Sequence, residues 1–175
     1  MKEPLEFKYQ AYGCIITLLL FAGVFFWISN FFNSPPDYSK RDGFVIESNE
    51  GVTVLTILKD SEFSENAVLR STAIDAVNYM EDNPSALYNG IVIDKKVNFL
   101  DTYGNETPRQ AVSVYFSQET IKKINFDNWP NNSAVDFYLA ADAYWISPVF
   151  SDIAEVPLSK GTPSEQPKAY RELFK

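Results

Sequence analysis

The side chains that most often do chemistry in proteins are nearly missing from this chain. It has no histidine, so the usual general base near neutral pH and the commonest metal ligand are both absent. Its one cysteine, Cys14, lies in an uncharged apolar run. Thiolate catalysis and Cys-ligated zinc, haem or iron–sulfur sites therefore have no supplier. Neither a G-x-x-x-x-G-K-[ST] loop nor a G-x-G-x-x-G fingerprint occurs, which argues against nucleotide binding by those routes. A Ser–Lys dyad is arithmetically open, but no spacing specifies a pair.

Carboxylates, amides and aromatic rings remain. If residues 134–142 form one strand, Asp136 and Asp142 share a face, as acid–base work between carboxylates requires. Two solvated acids on an edge is the plainer reading. Asp127, Asn128, Asn131, Asn132 and Asp136 offer oxygen ligands for calcium. Lacking the spaced acids and turn glycine of an EF-hand, they read more simply as an Asx-rich loop. Phe137, Tyr138, Tyr144, Trp145, Phe150 and nearby Trp129 concentrate aromatic area. Most suit a core, whereas Trp129 beside Pro130 and Trp145 ahead of Ser147-Pro148 are placed to meet a partner. No catalytic residue, metal or cofactor is expected.

The elements that must position these residues begin after a polar linker, residues 34–43. Phe44-Val-Ile-Glu-Ser and Val52 to Leu58 are β-branched runs around Asn49-Glu50-Gly51, which predicts a hairpin with a three-residue loop. Ser61 or Ser64 then caps a helix whose stripe is Leu69, Ala73, Ala76, Val77 and Met80, stopped at Pro84. Residues 91–100 and 110–116 read as strands around a turn at residues 101–105, and Ser117 caps a short helix. Residues 134–140 are expected as a strand. No internal repeat is present, and the pattern is that of an α+β domain.

The chain has 175 residues, 46% hydrophobic and 22% charged, which excludes wholesale disorder. From Tyr9 to Pro36 no side chain is charged, long enough for a membrane-spanning helix with aromatic residues at both ends. The run is too long for a cleaved signal peptide and does not end in small residues. Cys14 stands near the start of that run, whereas a lipoprotein site would follow it. Positive charges on the two sides nearly balance, and a short N-terminal tail by default stays cytoplasmic. The net charge of -8 falls after Pro36, a poor match for nucleic acid or anionic headgroups. Asn105-Glu-Thr and Asn131-Asn-Ser fit the glycosylation pattern but read as turns.

Pro35-Pro-Asp-Tyr38, Gly51, Leu58, Ser64-Glu-Asn-Ala-Val-Leu-Arg70, Ala73, Ala76, Tyr79 and Tyr115-Phe-Ser-Gln-Glu-Thr120 occur in an order that resembles the IcmL-type (DotI/TraM) bitopic subunits of bacterial type IV secretion and conjugation machines. The resemblance spans about a third of the chain. It implies a short cytoplasmic tail, one transmembrane helix and a periplasmic domain of nuclear-transport-factor-like fold. That family continues with several long strands, for which too few residues follow Phe126. Topology and general role are what carry over.

The expected organisation is a cytoplasmic tail (1–8), a transmembrane helix in the bilayer (9–33), a linker (34–43), an extracytoplasmic α+β domain (44–156) and a Pro-rich tail (157–175). The expected function is that of a non-enzymatic single-pass subunit of a bacterial inner-membrane assembly, a secretion or conjugation machine, with other membrane or periplasmic subunits as partners. An accessory subunit of a respiratory or photosynthetic complex is the alternative, and a membrane-tethered carboxylate hydrolase the third. Trp129, Trp145, Tyr170, Leu173 and Phe174 are the expected partner-binding residues. The last three lie on one face of residues 168–175, too short to stand alone as a helix and so expected to order only against an acidic partner.

Overall fold

The computed structural model describes residues 36–59, 65–100, 102–129 and 133–175. The membrane segment expected over residues 9–33, Cys14, the caps at Ser61 and Ser64, and Asn131 and Asn132 lie outside the described residues. Among the described residues no helix is long and apolar enough to cross a membrane.

Two β-branched runs form the first hairpin. β1 (Phe44–Asn49) and β2 (Val52–Lys59) pair antiparallel, with Phe44 opposite Ile57 and Asn49 opposite Val52. Glu50 and Gly51 both have positive φ, 52° and 82°, as a two-residue type I′ connection requires. The loop is one residue shorter than expected because Asn49 remains in the ladder. Next, α1 (Glu65–Asp82) carries the chain over to β3 (Ile91–Leu100), which lies parallel to β2 with Thr53 beside Ile91. Parallel neighbours need such a crossover. β4 (Glu106–Phe116) returns antiparallel, with a register shift between Lys95 and Lys96. Beyond it come α2 (Gln118–Ile121), capped by the Ser117 side chain, and α3 (Ala134–Ala140). β5 (Ala143–Ile146) and β6 (Ser159–Lys160) complete a sheet of order β1-β2-β3-β4-β5-β6. α4 (Lys168–Arg171) and a 3-10 turn over Glu172–Phe174 follow. The described residues are thus α+β, a six-stranded sheet with four helices.

The main core lies between α1 and one sheet face. The whole predicted stripe, Leu69, Ala73, Ala76, Val77 and Met80, is buried there with Leu55, Ile57, Ile91, Ile93, Val112, Val114 and Phe116. Each large side chain so removed from water contributes about 1.5–3 kcal/mol. α3 closes one end, with Phe137 and Tyr138 buried and the Tyr138 hydroxyl donating to the Leu69 carbonyl at 3.0 Å.

Three sequence expectations are corrected. Residues 134–140 are a helix, not a strand. Ser133 Oγ accepts from the Asp136 amide while the Asp136 carboxylate accepts from the Ser133 amide, a reciprocal cap, and Phe137, Tyr138 and Ala141 share the buried side. The linker read over 34–43 yields to the domain from Asp37 on. Tyr38 is buried edge-on to Tyr79 at 5.2 Å, and its hydroxyl donates to Asp82 at 2.7 Å. Finally, the segment after Pro157 is not a free tail. Residues 37–175 form one unit, in which Ser159 pairs with Trp145 and Lys160 with Tyr144. Lys160 Nζ also donates to the Leu139 carbonyl at 2.7 Å, a contact composition could not reveal.

Candidate functional site

Side chains alternate between the two faces of a strand, so the register fixes which residues meet on the face opposite α1. One cross-strand row there is Glu47, Val54, Val92, Tyr115 and Ala143. The next is Val45, Thr56, Asp94, Ser113, Trp145 and Ser159.

The C-terminal segment covers the first row. Ala169 and Tyr170 are buried among Val52, Val54, Val92, Tyr115 and Ala143. Ring centroids run from Tyr115 to Tyr170 (6.3 Å), on to Phe174 (5.1 Å) and then to Trp145 (6.0 Å). At the rim Asn49 donates to Glu172 at 2.7 Å, and Lys168 pairs with Glu50 at 2.8 Å. Of the basic residues of this segment, Lys168 thus finds an acid on its own domain, while Ala169 and Tyr170 bury apolar surface against the sheet.

The second row forms part of a polar groove of about 420 Å3, lined by Glu47, Thr56, Asp94, Lys96 and Glu172 among others. Asp94 is 1% exposed. Gln110 Nε2 donates to its Oδ1 at 3.1 Å, and Lys96 Nζ lies 3.4 Å from its Oδ2. Gln110 also bonds Ser113. Burial pushes the Asp94 carboxyl above the ordinary carboxylate range, opposed in part by Lys96 and Gln110. The groove can hold polar or cationic groups. Among the described residues no group of three or more Cys, Asp or Glu is placed to hold a metal ion.

A second concavity lies beside α1. Arg70, Ala73, Ile74, Val77 and Asn78, spaced as one helical face, line a cleft of about 600 Å3 with Trp129, Ser133 and Ala134. Ile74 is 49% exposed within it. Past Arg70 the cleft passes into a recess of about 190 Å3 among Leu69, Val135, Tyr138, Ile153, Glu155 and Val156.

The five residues expected to bind a partner therefore divide between two places. Trp129 lines the cleft beside α1; Trp145, Tyr170, Leu173 and Phe174 lie together on the opposite sheet face. Tyr170 is 1% exposed and packs inside its own domain, whereas Phe174 is 37% exposed. Phe137, Tyr138, Tyr144 and Phe150 are core. Asp136 and Asp142 do not share a strand: Asp136 caps α3, while Asp142 accepts from the Ser117 amide at 2.6 Å and Thr120 Oγ1 at 2.8 Å. Asp136 Oδ2 is engaged in that cap, and Asn131 and Asn132 of the calcium constellation lie outside the described residues. Sequence reasoning missed Asp94 and Arg70. An acid inside the apolar run Ile91-Val-Ile-Asp94 was the available signal for the first, and Ile74 just off the buried stripe the signal for the second cleft.

Compared with known proteins, the chain matches no family model, no curated protein and no solved structure.

Proposed function

We propose that this chain is a non-enzymatic, single-pass membrane subunit of a multi-protein cell-envelope assembly. Residues 9–33 hold its α+β domain on the periplasmic side of a bacterial inner membrane. The observation that carries this reading is the cleft beside α1, where Ile74, Trp129 and Ala134 leave apolar surface open. Open apolar surface with a polar rim is the mark of an interaction site. The uncharged run from Tyr9 to Pro36 supports the anchor. A secretion or conjugation machine is the assembly that the IcmL-type resemblance favours. A nuclear-transport-factor-like fold is the finer reading of the domain, supported by one long helix packed on one sheet face.

Two measurements test the proposal. A reporter active only in the periplasm, fused after Lys175, is expected to be active, and activity of a cytoplasm-only reporter there refutes it. Mass spectrometry of the gently solubilised native complex is expected to show secretion or conjugation subunits. Redox subunits would move the protein to a membrane enzyme complex.

A further inference from the structure

Resting on that docking reading, we infer that the cleft beside α1 receives an amphipathic helix of another protein whose apolar stripe ends in a carboxylate and then a cation. The shape comes first. Residues 70, 73, 74, 77 and 78 line the cleft along one side of α1, a stretch of about 12 Å at 1.5 Å per residue. A trough running along a helix is filled by another helix, whose anchors fall at intervals of three and four. Its volume of about 600 Å3 lies within the range of roughly 300–1,000 Å3 that binding pockets use.

Charge then sets direction. Among the described lining residues of the larger lobe, Arg70 is the single charge, at the end where the recess begins. Glu155 lines the recess beyond it. Arg70 is exposed and forms no ion pair among the described residues. The trough thus runs from apolar (Trp129, Val77, Ile74) through Arg70 to Glu155. Its complement runs from apolar through acid to base. A second copy of the chain is the poorer fit: its amphipathic C-terminal segment is already seated on its own sheet, and both copies carry the charge of -8.

The test uses the full chain in detergent micelles and a labelled, helix-stabilised synthetic peptide of about 14 residues. The peptide carries Leu on three successive turns of one face, followed by Glu and then Lys; its control exchanges the Glu and Lys. Fluorescence anisotropy is expected to show about tenfold weaker binding for the control, and Arg70→Glu with Glu155→Lys is expected to reverse the preference. Equal binding of the two peptides, or a preference that the double variant leaves unchanged, overturns the inference. A dimer in sedimentation that Ile74→Asp dissolves also overturns it, in favour of a second copy. Ile74→Asp in cells, with its fold checked by circular dichroism, separates the two readings. If the native complex survives it, docking at this cleft falls. If the complex is lost while the two peptides bind equally, docking stands and the charge order is wrong.

Discussion

Asp94 works against its own fold at neutral pH. Burial raises its carboxyl above the ordinary carboxylate value of 3.8, so between that value and the raised one the native state holds more protons than the unfolded chain. Stability from this group therefore falls as pH rises through that window. Asp94→Asn keeps an oxygen for Gln110 and removes the buried charge. It should melt about 2–4 °C above the parent near neutral pH, and the gain should vanish below pH 3.8, the unfolded value. A lower melting point at neutral pH would show that Lys96 outweighs burial. Asp142 is the opposite case, since its two oxygens serve Ser117 and Thr120. Asp142→Ala strands the Ser117 amide and should cost about 1–3 kcal/mol in urea unfolding. Asp136→Ala removes one half of the solvent-exposed reciprocal cap of α3 and should lower the urea midpoint by less than Asp142→Ala does.

At the scale of elements, backbone conformation and side-chain cover carry the stability. Gly90 opens β3 with φ 94°, and a Cβ there would stand 2.6 Å from the Phe116 carbonyl oxygen. Gly90→Ala therefore meets both a left-handed backbone and β4 itself. Denaturant titration should show a loss of about 2 kcal/mol or more. The C-terminal segment tests side-chain cover. Tyr170 is buried between Tyr115 and Phe174, so Tyr170→Ala should cost about 3 kcal/mol. Phe174→Ala, at a site 37% exposed, should cost about half that or less. Equal losses would mean that the segment is held by its rim contacts, Asn49 to Glu172 and Lys168 to Glu50.

For the domain as a whole, residues 37–175 form one unit with apolar cover on both sheet faces, α1 on one and the C-terminal segment on the other. Such a unit should unfold in a single transition. Trp145, whose ring meets Phe174, reports the C-terminal segment, while far-ultraviolet circular dichroism reports the sheet and α1. The two probes should give the same midpoint in the full chain. An earlier loss of the Trp145 signal would show that the segment detaches first. The two concavities lie on opposite sides of the sheet, so a bound partner beside α1 leaves the Asp94 groove open.

The sequence by itself determined what depends on neighbours along the chain. The first hairpin, α1 with its buried stripe, β3, and the Ser117 cap are local patterns of period and capping; the stripe, β3 and the Ser117 cap stand where they were read, and the hairpin differs by a loop one residue shorter. Residues 134–140 could go either way, because Ala-Val-Asp-Phe-Tyr-Leu-Ala carries strand-forming side chains; the reciprocal Ser133–Asp136 cap and burial against α1 decided for helix. What lies far apart was not legible. The row Thr56, Asp94, Ser113 and Trp145 exists only through three strand registers, and the C-terminal segment found its place through contacts more than a hundred residues distant, such as Asn49 to Glu172. Composition gave Tyr170, Leu173 and Phe174 an apolar face without naming what would cover it. Only the folded sheet supplied Val92, Tyr115 and Ala143 as that cover, because burial is settled by surfaces that the chain brings together after its local elements have formed.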